Sequence, residues 1–281
     1  MPIFRSQKSL KILIPTLLVA LTGCQTVQTT NPGVVGVDRK QSMSSLITSE
    51  QLNAQGAKAY NSVISTARSK KSLNRDPVQT KKIRAIAARL IPQTKVFREE
   101  ALKWDWRINV IKDKSANAFC MPGGKIAVNT GLIDLVDGDQ DMLAVVMGHE
   151  IAHALREHSR EQAGRSVGSQ ILAIGVKVLT KSDTAAQAVN TGSQVGYLLP
   201  HNRKQETEAD MIGLELMARA GYNPSKAEFL WKKMMQAAGG KKPPEFLSTH
   251  PSSKKRAERL RVLSKKVWPL YQAALKKRKK K

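Results

Sequence analysis

The stretch LAVVMGHEIAHAL, residues 143–155, constrains the fold more than any other part of the chain. Apolar residues run all round it, so a helix here is buried on every side. Inside it stand His149, Glu150 and His153. Ionisable groups are costly to bury without partners, so they are either paired by packing or converge on a bound ion. In a helix, His149 and His153 project within roughly 40° of each other. That spacing lets both imidazoles reach one Zn2+ at about 2.0–2.1 Å. Glu150 lies about 100° round from His149, beside the ligand pair rather than in it. This is the H-E-x-x-H arrangement, in which the glutamate is a general base toward water.

A third protein ligand must come from elsewhere. His158 follows on the same helix but points about 140° away from His153. The metzincin pattern needs Gly at 156 and His at 159, where this chain has Arg156 and Ser159. Downstream, RKQETEADMIGLELMARAGYNP reads as a helix over 205–219, stopped by Gly221 and Pro224. Glu206 and Asp210 share one face of it, whereas Glu208 points the other way. Glu206 can complete a His2Glu site with a fourth position open, the signature of catalytic zinc. Asp210 is then placed to accept the second N–H of a ligating histidine and hold its tautomer.

The remaining chain is globular by composition, with 41% hydrophobic and 25% charged residues, and its 281 residues allow one sizeable core or two small ones. From Gln51 to about Trp104 the pattern is helical, broken at Pro77 and Pro92, with Ile83, Ile86, Ala87, Leu90 and Ile91 on one stripe. WRINVIKD alternates, and NAFCMPGGKIAVNT reads as two short strands around a Pro-Gly-Gly turn, predicting an antiparallel sheet of three strands. The zinc helix is predicted to run to about His158. Residues 164–198, rich in Ala, Gly, Ser and Val, read as a helical lid or hairpin. Helices are predicted over 225–237 and after Pro251. The fold class is α+β, mainly α, with a small antiparallel β-sheet beside the H-E-x-x-H helix.

GHEIAH, NRKQETEAD with GLELMARAGYNP, and STHPSSKKRAERL together resemble the gluzincin family of the CAAX prenyl proteases, the HtpX heat-shock proteases and the mitochondrial Oma proteases. The resemblance covers about residues 80–262. It implies a zincin-like helical peptidase domain with one Zn2+ per chain, held by His149, His153 and Glu206, with Asp210 behind them. NAFCMPGGKIAVNTGLI resembles the family's edge strand, which implies pairing with an extended peptide substrate. Thr249-His250-Pro251 and Arg256 match two further family positions. The resemblance implies that both His250 and Arg256 approach the site, to stabilise an oxyanion or, for His250, to cap the zinc in a closed state. His201-Asn202 stand where many relatives have an aromatic and Ser, so the entrance to the site is expected to differ.

Charge and the N-terminus suggest a location. Lys and Arg number 47 against 22 Asp and Glu, a formal +25, which favours acidic partners such as lipid head groups, lipopolysaccharide or nucleic acid. Arg5, Lys8 and Lys11 precede the apolar run ILIPTLLVAL, and Leu21-Thr22-Gly23-Cys24 resembles the bacterial lipobox. That resemblance implies a signal peptide over 1–23, lipidation of Cys24 and an outer-membrane anchor facing the periplasm, with no nucleic-acid partner. Residues 24–50 then serve as the lipidated cysteine and a flexible tether, 51–270 as the peptidase domain and 271–281 as a basic tail, either a solvated, frayed terminus or a run that attracts anionic lipid or lipopolysaccharide. Cys120, the remaining thiol, is expected to be buried and inert. The function expected is a zinc-dependent endopeptidase of the bacterial envelope. It would hydrolyse misfolded or unassembled envelope proteins, with Glu150 as general base. The alternative is an outer-membrane protein assembly or chaperone factor with a latent peptidase site.

Overall fold

The computed structural model describes residues 24–166, 199–239, 244–251 and 253–279, with isolated positions between 170 and 187. The expected leader, 1–23, and most of the expected lid, 164–198, lie outside the described residues.

The N-terminal stretch departs from its expected role as a tether. Strands β1 (Cys24–Val27) and β2 (Gln41–Ser44) pair antiparallel, and the chain between them buries Val35 and Val37 against the domain. The Asn31 N–H donates to the Phe97 carbonyl at 2.8 Å, and the Val35 N–H to the Glu215 carboxylate at 2.9 Å. Gly33, at φ +63, lets the backbone lie on the Phe97 ring, where a Cβ would sit 2.5 Å from it. Composition concealed this arm because its few apolar residues are not periodic. Val35 and Val37 are nevertheless buried, while Val34 between Gly33 and Val35 stays exposed.

Helix α1 (Ser49–Ser69) opens on a capping box formed by Thr48 and Gln51. Helix α2 (Pro77–Leu90) is capped by Asp76, whose side chain accepts from the Val78 and Gln79 N–H groups. Its stripe of Ile83, Ile86, Ala87 and Leu90 is buried as the periodicity predicts. Strands β3 (Arg107–Ile111), β4 (Ala118–Met121) and β5 (Lys125–Asn129) form a second sheet in the order β3-β5-β4.

This sheet is mixed, a correction to the antiparallel sheet expected from the strand pattern. The β4–β5 hairpin turns through Gly123 and Gly124, at φ +78 and +84, and is antiparallel. β3 instead pairs parallel to β5. The Arg107 N–H donates to the Gly124 carbonyl, and Trp106 lies where a Gly124 Cβ would be, 2.7 Å away. The outer edge of β3 is covered by residues 72–74, through a Leu73–Ile111 bridge and the bond from the Lys112 N–H to the Ser72 carbonyl. Among the described residues, β4 is therefore the edge left uncovered by strand pairing.

Helices α3 (Thr130–Leu135) and α4 (Gln140–Leu155) follow. Every residue of α4 from Leu143 to Ala152 is buried. Two of its neighbours are α5 (Leu199–Arg219) and α6 (Lys226–Ala238). The single turn α7 (Phe246–Thr249) precedes α8 (Lys254–Lys279), which packs on α5 and α6 and carries the basic C-terminal residues as far as Lys279. No helix of the described residues is long and apolar enough to cross a membrane. The chain is mainly helical with small sheets, as expected.

Candidate metal centre

α4 and α5 cross where each has a glycine. A Cβ on Gly148 would lie 2.8 Å from the Gly213 carbonyl oxygen, and one on Gly213 would lie 2.7 Å from the His149 nitrogen. Backbones meet there without side chains between them, so the first turns of α5 reach over the histidines of α4.

Four side chains converge at that crossing: His149, His153, Glu206 and His250, one ligand-type atom from each lying within 4.8 Å of all the others. The Nε2 atoms of His149 and His153 are 3.0 Å apart. Glu206 sets Oε1 3.2 Å from His153 Nε2 and Oε2 3.4 Å from His149 Nε2. His250 Nδ1 lies 3.2 Å from His149 Nε2 and 2.9 Å from Glu206 Oε1. Two carboxylate oxygens, Glu206 Oε2 and Glu150 Oε1, are buried without a hydrogen bond among the described residues. They nevertheless have charged or ionisable neighbours, Arg256 Nη1 at 2.9 Å and His250 Nε2 at 3.3 Å respectively. Imidazole nitrogens and a carboxylate aimed at one another in this way fit a single cation with nitrogen and oxygen ligands, and zinc takes such a set.

The back of the site is built from α5 and α8. Asp210 Oδ1 lies 3.1 Å from His149 Nδ1, so the carboxylate holds the ligand nitrogen's opposite face. Arg256 donates to both Asp210 oxygens, at 2.7 and 2.8 Å, and its guanidinium lies 3.6 Å over the Trp231 ring. Arg256 thus supports Asp210 from behind and also flanks Glu206. Phe246 stacks on His250 with ring centroids 4.4 Å apart.

Electrostatics follow from the burial. Burial works against charge on Glu206, but the imidazoles of His149, His153 and His250 outweigh it and hold the carboxyl far below its ordinary range. Burial likewise opposes a charged His149, yet Glu206 and Asp210 lift it to about 9. Burial pushes Glu150 up, the direction that lets a carboxylate take and hold a proton. Its Oε2 accepts from the Cys120 N–H of β4 at 3.3 Å. Burial also pushes the Cys120 thiol up, so it stays protonated.

The residues singled out in the sequence are brought together: His149, Glu150, His153, Glu206, Asp210, His250 and Arg256 share one site. Cys24 stands apart at the start of β1. Three features escaped the sequence reading. α4 ends at Leu155 rather than near His158, and Glu157, at φ +49, turns the chain before helix resumes over 158–166. That break brings His158 Nδ1 to 2.8 Å from His153 Nδ1. Glu208, which does point away from the donor cluster, contacts His158 instead. The aromatic wall of Trp231 and Phe246 carried only the signal of Phe246 lying four residues before His250.

A buried H-E-x-x-H helix completed by a glutamate from a second helix defines a zinc-dependent metallopeptidase. The model of peptidase family M48 matches residues 77–264, and the chain belongs to that family. It is 40% identical over 158 residues to the mitochondrial metalloendopeptidase OMA1 of Schizosaccharomyces pombe, covering 55% of this chain and 45% of that protein. The human mitochondrial metalloendopeptidase OMA1 is 34% identical, over 56% of this chain and 32% of its own length. The β-barrel assembly-enhancing protease of Escherichia coli is 29% identical, over 69% of this chain and 41% of its own. The chain thus spans less than half the length of these relatives.

These comparisons overturn the expected location and setting. Relatives named as mitochondrial, from fungi, a plant and mammals, share 34 to 40% identity, above the 29% of the Escherichia coli protease. The reading as a bacterial outer-membrane lipoprotein acting on envelope proteins, or assisting their assembly, does not stand. The physical reason is that basic residues before a short apolar run are shared by several kinds of N-terminal segment, and the chemistry of a peptidase site is the same in any compartment.

Proposed function

We propose that the chain is an endopeptidase that hydrolyses peptide bonds in extended or unfolded polypeptide, with Glu150 as general base. The observation that carries this reading is the position of buried Glu150, between the donor cluster and the edge strand β4. His149, His153 and Glu206 would hold the zinc ion. When bound it supplies Lewis acidity, polarising the scissile carbonyl and easing ionisation of water. Glu150 accepts the proton of the attacking water and delivers it to the leaving amine, a cycle favoured by its raised proton affinity. β4 offers its unpaired edge to a substrate backbone by strand addition, which reads main chain more than side chain. Asp210 and Arg256 keep His149 in its ligating tautomer.

His250 sits on the donor cluster as a fourth ligand, its third nitrogen, would. We assign it the role of a cap that swings away as substrate enters, with Phe246 as its resting platform. The basic surface would favour acidic stretches of substrate or anionic surfaces.

The experiment is cleavage of casein by the purified chain beside Glu150→Gln, with zinc measured in both. Cleavage by the parent, lost by about 100-fold or more in the variant while zinc stays bound, supports the reading. Equal cleavage by both sinks it.

A further inference from the structure

Behind His153, away from the donor cluster, lies a buried polar network that the peptide-hydrolysis reading does not use. His153 presents Nε2 to Glu206, so its Nδ1 faces backwards, 2.8 Å from His158 Nδ1. His158 Nε2 in turn lies 3.2 Å from Glu208 Oε2. A ligating Nε2 offers its lone pair, so His153 carries its proton on Nδ1 and donates to His158. His158 must then accept on Nδ1 and donate from Nε2 to Glu208. One arrangement of protons satisfies both contacts.

Glu208 is fixed by two arginines. Arg156 donates to its Oε2 from Nε at 3.0 Å, and Arg39 donates from Nη2 at 3.0 Å and from Nε. Arg39 also forks onto Glu161 at 2.7 and 3.0 Å. Arg156 closes the ring by donating to the Arg39 carbonyl at 2.8 Å and to Thr30 Oγ1 at 3.2 Å. Arg156, His158 and Glu161 are almost wholly buried. Arg39 and Thr30 belong to the N-terminal arm, far from the histidines in sequence.

We propose that His158, held by Glu208, is the positioning residue for the ligand His153, and that the N-terminal arm, through Arg39, locks this pair in place. His153 is thereby supported as His149 is by Asp210 and Arg256, with a histidine standing where the other ligand has a carboxylate. The arm becomes part of the metal site, and its docking is linked to metal affinity.

This inference rests on His153 being a zinc ligand, so the first measurement is zinc affinity of the full chain by competition with a chelator, with folding followed by circular dichroism. His158→Leu removes both hydrogen bonds, whereas His158→Gln can still accept from His153 and donate to Glu208. Expected are a weakening of zinc binding by about 10- to 100-fold in His158→Leu, recovery to within a few-fold in His158→Gln, and a smaller loss in Arg39→Ala. Equal loss in the Leu and Gln variants, or parental affinity in a folded His158→Leu, overturns the proposal. Should His158→Leu not fold, Arg39→Ala decides: its side chain is 24% exposed, and parental zinc affinity there overturns the lock. A parent chain that binds no zinc sinks the metal reading itself, whereas a zinc-binding parent with unaffected variants sinks only this inference.

Discussion

Gly148 of α4 and Gly213 of α5 touch backbone to backbone, with no room for a Cβ on either. This contact sets the height at which Glu206 and Asp210 pass over His149. Gly213→Ala would press a methyl group against the His149 backbone, where no side chain can yield. The expected result is a loss of about 2 kcal/mol or more in stability, together with weaker zinc binding because the two helices part. Thermal unfolding and chelator competition on the same preparation check both effects. Unchanged zinc affinity would show that the ligands do not depend on the crossing.

Asp210 serves His149 and Arg256 at once. In Asp210→Ala the buried guanidinium keeps only Glu206 as an anionic partner, a partial break expected to cost about 3 kcal/mol, the low end for a buried pair, and His149 loses its tautomer control. Asp210→Asn keeps an acceptor for His149 but removes the charge. Zinc affinity is expected to fall about tenfold in the Asn variant and further in the Ala variant. The order of the two variants, read by titration with zinc, is the check.

His250 lies on the donor cluster while stacked on Phe246. If it caps the site, His250→Ala opens the approach and casein cleavage rises several-fold with zinc retained. A fall in cleavage instead would assign His250 to stabilising the reaction's oxyanion.

Glu161 gives the fold a dependence on acid. Burial alone would raise its carboxyl, but Arg39, Gln205 and Arg165 bring it down from 4.5 to about 2. A depressed carboxylate contributes stability that is fully present above its unfolded value, near 4.5. That contribution, of order 2 kcal/mol, is lost as pH falls towards 2. Denaturant unfolding between pH 6 and pH 3 is expected to show the loss. Glu161→Gln is expected to start less stable at pH 6 and to lose less on acidification. Parallel curves would remove Glu161 as the cause.

Much of the site was legible in the sequence because it is local. A one-turn spacing on one helix brings His149 and His153 to the same side, and the same rule pairs Glu206 with Asp210 and turns Glu208 away. Helix α2 was readable for the same reason, since its buried positions recur with the helical period. His158 was misplaced because the angle that set it aside assumed one continuous helix, and the left-handed backbone at Glu157 breaks that helix.

What tertiary structure alone decided are the meetings of segments distant in the chain. Trp106 packs over Gly124 where β3 runs parallel to β5, and strand alternation is blind to direction. The arm from Thr30 to Gln41 has too few apolar residues to announce itself, yet its Arg39 meets Glu161 and Glu208 across more than a hundred residues. Sequence by itself determined which groups could bind a metal and on which faces they lie, because backbone geometry repeats along a helix. Only the folded chain decided how those faces are pressed together and what stands behind each ligand, because that depends on contacts no local spacing encodes.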